Sequence, residues 1–413
     1  MKLLLIGGGG REHVLGWKLA QNTRVEQLIS LPGNPGLARL GPVIEGIDPS
    51  AAGAVGEAAV ALGVDLVVVG PEAPLAAGVV DVLTRKRIPV WGPTKAATRL
   101  ESSKSYAKEL MDRAGVATAK WACFDDPDDA MGYLSHRQPP YVIKADGLAA
   151  GKGVLVTNDR EAAEDWVRRC LDGAFGTASV VIEDFLDGPE VSVLALCSQT
   201  EVVPLEPARD YKRLRDGDRG PNTGGMGSYS PVSGLPPDLI EHAVERVMKP
   251  VLQQMAADGH PYTGFLYAGL VLTDEGPQVL EFNCRLGDPE TQVILPRMDS
   301  DLVEMIEAGL EGRLADVHCR WTEHAAVNVV LAANGYPESP KSGDLVKLPQ
   351  ESPTGMIFHA GTALTNGKLV TSGGRVLSAV GLGVDVAEAR QRAYALAEQV
   401  MFAGKQFRTD IGL

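Results

Sequence analysis

Glu281, Asn283 and Arg285 fall at every second position in "VLEFNCRLGDPE". On a strand that spacing sets all three on one face. A carboxylate beside an amide oxygen is a hard donor pair, suited to Mg²⁺ when nucleotide phosphates complete the shell. An unpaired carboxylate in such apolar sequence is costly, so the other reading is a buried Glu281–Arg285 pair without metal. Arg285 is also a donor fit for a carboxylate or phosphate. A second stretch, "YVIKADGLAAGKGVLVT", carries Lys144 on an apolar strand that enters a glycine-rich loop. Backbone N–H groups of such a loop can fold over phosphates, and Lys144 can reach them as a point charge; a plain surface lysine is the alternative. The loop is not Walker A: the pattern would put glycine at Asp146, a hydroxyl at Gly153 and a helix afterwards.

A third stretch, "KLLLIGGGGREHVLGWKLAQ", is a strand, a glycine turn and a helix start. It lacks the dinucleotide pattern, because Glu12 or His13 stands where the third glycine is needed, and the next strand ends "ISLPGN" with no acid for a ribose. Two readings remain. The turn only links strand to helix, or Gly9, Gly10 and Arg11 present a positive helix end to a smaller phosphorylated group. The loops "LPGNPG" and "GPEAPL" leave the same sheet edge, where open parallel sheets bind ligands. Glu72 there either belongs to the site or is a solvated turn acid. In "VVIEDFLDGPE" the strand end could edge an adenine, with Glu190 near a ribose hydroxyl.

The elements that must position these groups follow from pattern. Near-continuous apolar strands "KLLLI", "VEQLISL", "VDLVVVG" and "IPVWG" alternate with helical stretches at 11–21, 51–62 and 76–86, which predicts a parallel sheet covered on both faces. "SSKSYAKELMDRAG" reads as a helix with a Ser cap and a terminal Gly, and "EAAEDWVRRCL" as an amphipathic one. "SVVIEDFL" and "EVSVLALC" read as strands, 237–257 as a helix, and "LYAGLVLT" and "PQVLEFN" as two strands joined by a turn at 274–276. "YKRLRDGDRGPNTGGMGSYSP" shows little periodicity and reads as a long functional loop. Several short strands and a helix at 387–400 complete the chain.

At 413 residues the chain exceeds one hydrophobic core. Its net charge of −14 argues against nucleic acid as a partner. Five scattered cysteines without a C-x-x-C pair suggest reduced thiols, a cytoplasmic setting and no zinc. The first apolar run is too short for a signal peptide, and no run approaches a membrane span. No segment reads as an interface, so a monomer is expected.

The strand–loop–strand with an entering lysine, an E-x-x-L hinge and a late E-x-N strand resembles the ATP-grasp fold. "GGGGREH", "GPEAPL", "GPTKAA", "IKADGLAAGKGV", "DYKR", "GPNTGGMGSYSP", "EFNCRLGDPETQ", "GGRVL" and "FRTDIG" together resemble the phosphoribosylamine–glycine ligase (glycinamide ribonucleotide synthetase) family over essentially the whole chain. "GPNTGGMG" and "EFNxRxGDPE" are its specific motifs.

That resemblance implies an α/β and α+β multidomain protein. A Rossmann-like substrate domain would span 1–103 and an ATP-grasp domain 104–321, with a mobile lid at about 121–187. A C-terminal α+β domain would span 322–413. It implies ATP-driven ligation of glycine to 5-phosphoribosylamine through glycyl phosphate, with Mg²⁺ or Mn²⁺, in purine synthesis. By resemblance Lys104 and Lys144 contact ATP phosphates, Gly151 and Gly153 belong to the lid loop, Glu183 and Leu186 form the adenine hinge, and Glu190 faces the ribose. Glu281 and Asn283 bind metal. Arg285 steadies glycine's carboxylate or the acyl phosphate, Asp210 meets glycine's ammonium, and Lys212 with Asn222, Gly224, Gly225 and Gly227 closes over the acceptor, which reaches back to Gly9, Gly10, Arg11 and Glu72. Three departures stand out: Tyr211 where histidine is commoner, "GPE" where "GEE" is commoner, and no acid in "LYAGLVLT". Another ATP-grasp ligase, a non-catalytic nucleotide-binding regulator and a nicotinamide oxidoreductase are the competing readings.

Overall fold

The computed structural model describes residues 1–149, 153–349 and 355–413. The four apolar strands near the N-terminus form a parallel sheet in the order Gln27–Pro32, Lys2–Gly7, Leu66–Val69, Val90–Trp91. Leu3, Leu4, Leu5 and Ile6 are fully buried, as a strand covered on both faces requires. The helix expected at 76–86 is instead two, Glu72–Ala77 and Val79–Arg85, meeting at Gly78 with φ +85°. Only glycine adopts that conformation readily.

A second sheet, of four strands, runs Glu201–Pro204, Glu190–Ser198, Thr263–Thr273, Gly276–Asn283, all antiparallel. The helix Lys104–Ala114 packs beside it, its start capped by Ser103 and its end turned by Gly115 at φ +66°. A third sheet (Trp121–Phe124, Val180–Glu183, Tyr141–Ala145, Val154–Thr157) carries the helices Pro127–Ser135 and Arg160–Leu171 over its own small core, including Leu134, Ile143, Val167 and Ile182.

The stretch read as one long loop carries three short strands. Arg209–Asp210 and Gly227–Ser230 join a five-stranded sheet with Ala325–Ala332, Arg375–Gly383 and Gly355–His359, and Arg213–Arg215 pairs with Arg219–Asn222 as a hairpin. These strands are two to four residues long, too short to show a period, and Gly227–Ser230 finds its partner Ala325–Ala332 far along the chain. The helix Val386–Gln399 covers the five-stranded sheet.

Candidate active site

One cavity of about 650 Å³ opens where these layers meet. It is lined by Arg11, Glu72, Lys104, Lys144, Gly153, Glu183, Leu186, Glu190, Asp210, Lys212, Asn222, Gly224, Glu281, Asn283 and Arg285, all singled out from sequence. Gly9, Gly10, Gly225 and Gly227 are not among the lining residues. Gly151 lies outside the described residues.

At the base, Glu281 and Asn283 face into the cavity from the strand Gly276–Asn283, opposite Gly269 and Tyr267. Glu281 has no hydrogen-bond or ion-pair partner among the described residues. Burial favours its neutral form, but Lys212, Lys144, Lys104 and Arg285 outweigh that and hold it below the usual carboxylate range. The metal-free Glu281–Arg285 pair is therefore not what forms. Arg285 binds Glu72 (Nε–Oε2 3.2 Å) and Glu101 (Nη2–Oε1 3.0 Å), and donates to Asn283 Oδ1 at 3.3 Å. Among the described residues no cluster of three or more His, Cys, Asp or Glu could hold a metal. An ionised, unpartnered carboxylate beside an amide oxygen nevertheless fits a hard cation whose remaining ligands are phosphate and water.

The lysines come from two elements. Lys104 Nζ donates to the carbonyls of Ala145 (2.9 Å) and Gly147 (2.8 Å) at the mouth of the glycine loop. Lys144 is buried rather than a surface lysine, 2.8 Å from Glu183 Oε1. Lys108, one helical turn beyond Lys104, lies 3.0 Å from Glu183 Oε2. Burial would raise the Glu183 pKa, yet the two lysines hold it below the usual range. Burial outweighs Glu183 at Lys108, pushing that ammonium down to about 8. Lys108 escaped the sequence reading; its i,i+4 spacing from Lys104 was the available signal.

On the far wall Lys212 pairs with Glu190, the acid expected at the ribose. Burial pushes Asp210 up to about 7, with Lys212 offsetting only part of it. Further unforeseen groups are Glu290, which accepts from Ser192 at 2.9 Å, and Arg375, which bonds Gly224's carbonyl and the Asp288 carboxylate at 2.9 Å. The Tyr211 ring lies under the Arg408 guanidinium, 4.8 Å from carbon to centroid.

The first glycine turn corrects an expectation. Glu12 fills it: its carboxylate accepts from Gly9 N (2.7 Å) and Arg11 Nε (2.6 Å). A Cβ on Gly7 or Gly70 would fall 2.3 or 2.4 Å from Glu12 Cγ. Those glycines make room for a protein carboxylate, and Gly9 presents its N–H to that carboxylate. Gly10 abuts Gln292 and Ala360. Glu72 is not a solvated acid either, being held by Arg285 and Arg11, which outweigh burial and depress it to about 2. Gly227 is buried in the strand Gly227–Ser230 opposite Val329, and a Cβ there would meet Ile411 at 2.8 Å, so it packs against protein. Gly225, at φ +107°, packs on Pro289.

Residues 1–101, 102–291 and 326–413 match, in turn, the N domain, the ATP-grasp (A) domain and the C domain of phosphoribosylglycinamide synthetase. A phosphoribosylamine–glycine ligase of Vibrio vulnificus is 47% identical over 420 residues, covering 100% of this chain and 98% of that one. One of Rhizobium meliloti is 44% identical, again covering 100% of this chain and 98% of the other. The crystal structure of the Thermotoga maritima phosphoribosylamine–glycine ligase superposes with a TM-score of 0.88 at 40% identity, covering 99% of this chain and 100% of that one. A biotin carboxylase domain from Hydrogenobacter thermophilus, solved with MgADP, shares the fold alone, with a TM-score of 0.74 at 17% identity over 98% of this chain and 91% of that one.

Proposed function

Because the chain belongs to the phosphoribosylglycinamide synthetase family, we propose that the cavity lined by Lys144 and Glu281 is where ATP, glycine and 5-phosphoribosylamine react. The chain is an ATP-grasp ligase of purine biosynthesis that forms the amide of glycinamide ribonucleotide. The observation carrying the assignment of the site is the unpartnered, ionised Glu281 facing a cavity that Lys104 and Lys144 also line.

A carboxylate is a poor acyl donor until one oxygen becomes a leaving group. In our reading a glycine carboxylate oxygen attacks the γ-phosphorus, ADP leaves, and glycyl phosphate forms. The amine of phosphoribosylamine attacks the acyl carbon, phosphate leaves and the nitrogen sheds a proton. Such transfer needs positioning and charge neutralisation more than covalent help. Lys104 and Lys144 neutralise the polyphosphate, Gly153 and residues around Leu186 enclose the nucleotide, and Glu190 reaches the ribose. Asp210 receives glycine's ammonium, and Arg285 its carboxylate. Lys212, Asn222 and Gly224 close the acceptor side, with Arg11 and Glu72 behind. Glu281 and Asn283 would hold Mg²⁺ or Mn²⁺, which withdraws charge from phosphate oxygens. Enclosure keeps water from the acyl phosphate.

We take the working form to be a cytoplasmic monomer without nucleic-acid partners. All five cysteines are free, and among the described residues no helix is long and apolar enough to cross a membrane. Phosphate release from ATP is the test, with glycine, alanine, serine or acetate each offered beside fresh phosphoribosylamine. Release that depends on glycine and yields the amide by mass supports the reading. Release with another acid but not glycine overturns it in favour of a different carboxylate–amine ligase.

A further inference from the structure

None of residues 407–412, the "FRTDIG" motif, lines the cavity, yet this tail is bonded to one wall of it residue by residue. Arg408 is 1% exposed. Its Nε and Nη2 grip both oxygens of Asp410 (2.7 and 2.6 Å), while Nη1 donates to Asp218 Oδ1 (2.7 Å) and to the Arg213 carbonyl (3.1 Å). The flat face of the guanidinium covers Tyr211, whose hydroxyl accepts from Gly412 N at 3.0 Å. Next along the tail, Thr409 N donates to Asp216 at 2.8 Å, and Asp410 accepts from Gly217 N at 2.8 Å. Three consecutive tail residues thus hold the three consecutive residues of the hairpin turn.

That turn needs external support. An isolated two-stranded hairpin is marginal in water, and Asp218 sits at φ +51°, a conformation that carries strain outside glycine. The tail is itself fixed from behind, by Tyr394 on the Arg408 carbonyl (2.9 Å) and Arg390 on the carbonyls of Thr409 (2.7 Å) and Ile411 (3.0 Å). Asp210, Tyr211 and Lys212 all line the cavity, and the Tyr211 hydroxyl and ring are tied to the tail, so the tail fixes the segment that carries Asp210 and Lys212. Here lies the reason for an aromatic ring between them: it is a platform for Arg408, and no imidazole is required.

We propose that Arg408 is a positioning residue for the ligation. Acting from outside the cavity through Tyr211 and the 213–222 hairpin, it sets Asp210 and Lys212 against the substrates. This rests on the function proposed above.

The test uses the full chain carrying Arg408→Lys, which keeps charge but loses the planar fork. A second variant, Asp218→Ala, removes a side chain that is 67% exposed but stands at φ +51° on the cavity lining, so its melting temperature is read beside its constants. For each, kcat and KM are measured for glycine, phosphoribosylamine and ATP, with the melting temperature. We expect kcat/KM for glycine to fall about 10- to 100-fold in Arg408→Lys, the scale of a small misplacement, while the ATP KM stays within about twofold. Asp218→Ala should show the same selectivity at smaller amplitude, and guanidinium ion at non-denaturing concentration should partly restore an Arg408→Ala chain. Unchanged glycine constants in both variants overturn the proposal. So does a uniform fall for all three substrates that tracks the melting temperature. If the parent enzyme does not use glycine, the underlying function fails and this inference with it; an active parent with indifferent variants sinks this inference alone.

Discussion

Lys144 Nζ lies 2.8 Å from Glu183 Oε1, with both side chains 5% exposed or less. The pair ties two neighbouring strands of the third sheet at the point where the glycine loop begins. Burial makes this contact expensive to break, because desolvated charges left without a partner have no water to return to.

Truncating that carboxylate therefore leaves Lys108 and Lys144 buried without it. We expect Glu183→Ala to lower the free energy of unfolding by roughly 3–5 kcal/mol, measured by urea denaturation. Lys144→Met should weaken ATP binding in calorimetry; a variant with full affinity would remove Lys144 from the phosphate site.

Glu281→Gln preserves shape and removes an ionised carboxylate that has no partner among the described residues. Phosphate release should drop by about 10²-fold or more, since polarisation by a bound cation supplies several kcal/mol. Binding of a non-hydrolysable ATP analogue in metal-free buffer should change far less, and equal losses in both assays would argue for a fold defect.

Glu72 offers a test in pH. Its folded-state pKa is depressed to about 2 from the ordinary 4.5. A depressed carboxyl adds stability that is present above the unfolded pKa and disappears as pH falls through the folded one. Near neutrality Glu72→Gln should be less stable than the parent by of order 2 kcal/mol. The gap should close between pH 4.5 and about 2 in denaturant titrations; a gap constant across that window would mean Arg11 and Arg285 do not hold the acid.

Gly227→Ala places a methyl 2.6 Å from the Asn328 carbonyl oxygen and 2.8 Å from Ile411 Cγ1. Overpacking of this kind costs about 1–3 kcal/mol. A matching fall in stability by calorimetric melting, with ATP affinity intact, would mark this glycine as structural rather than as part of the substrate site.

Much of the chemistry was legible because it sits on regular elements. Glu281, Asn283 and Arg285 share a face by simple alternation, and Lys144 stands out as the one charge in an apolar strand. The helix at Lys104–Ala114 carried both its caps in the sequence. What escaped was held by distance. Glu101 and Glu72 compete for Arg285 from 184 and 213 residues away, so the local Glu281–Arg285 pair looked plausible and does not form. The hairpin at 213–222 takes its order from a tail almost two hundred residues later, and no window of local sequence contains both partners. Glu12 misled for the opposite reason. It lies inside the glycine motif itself, and a reading that treats such a turn as space for a ligand overlooks an acid from the adjoining helix turn.

That occupied turn has a practical meaning for anyone who would re-engineer the N-terminal sheet. Grafting a nicotinamide or flavin onto it would first require evicting a resident anion that Arg11 and the Gly9 amide already satisfy. Evicting it would leave Arg11 without its nearest counter-charge, so the cavity wall that Arg11 lines would be disturbed before any new cofactor arrived.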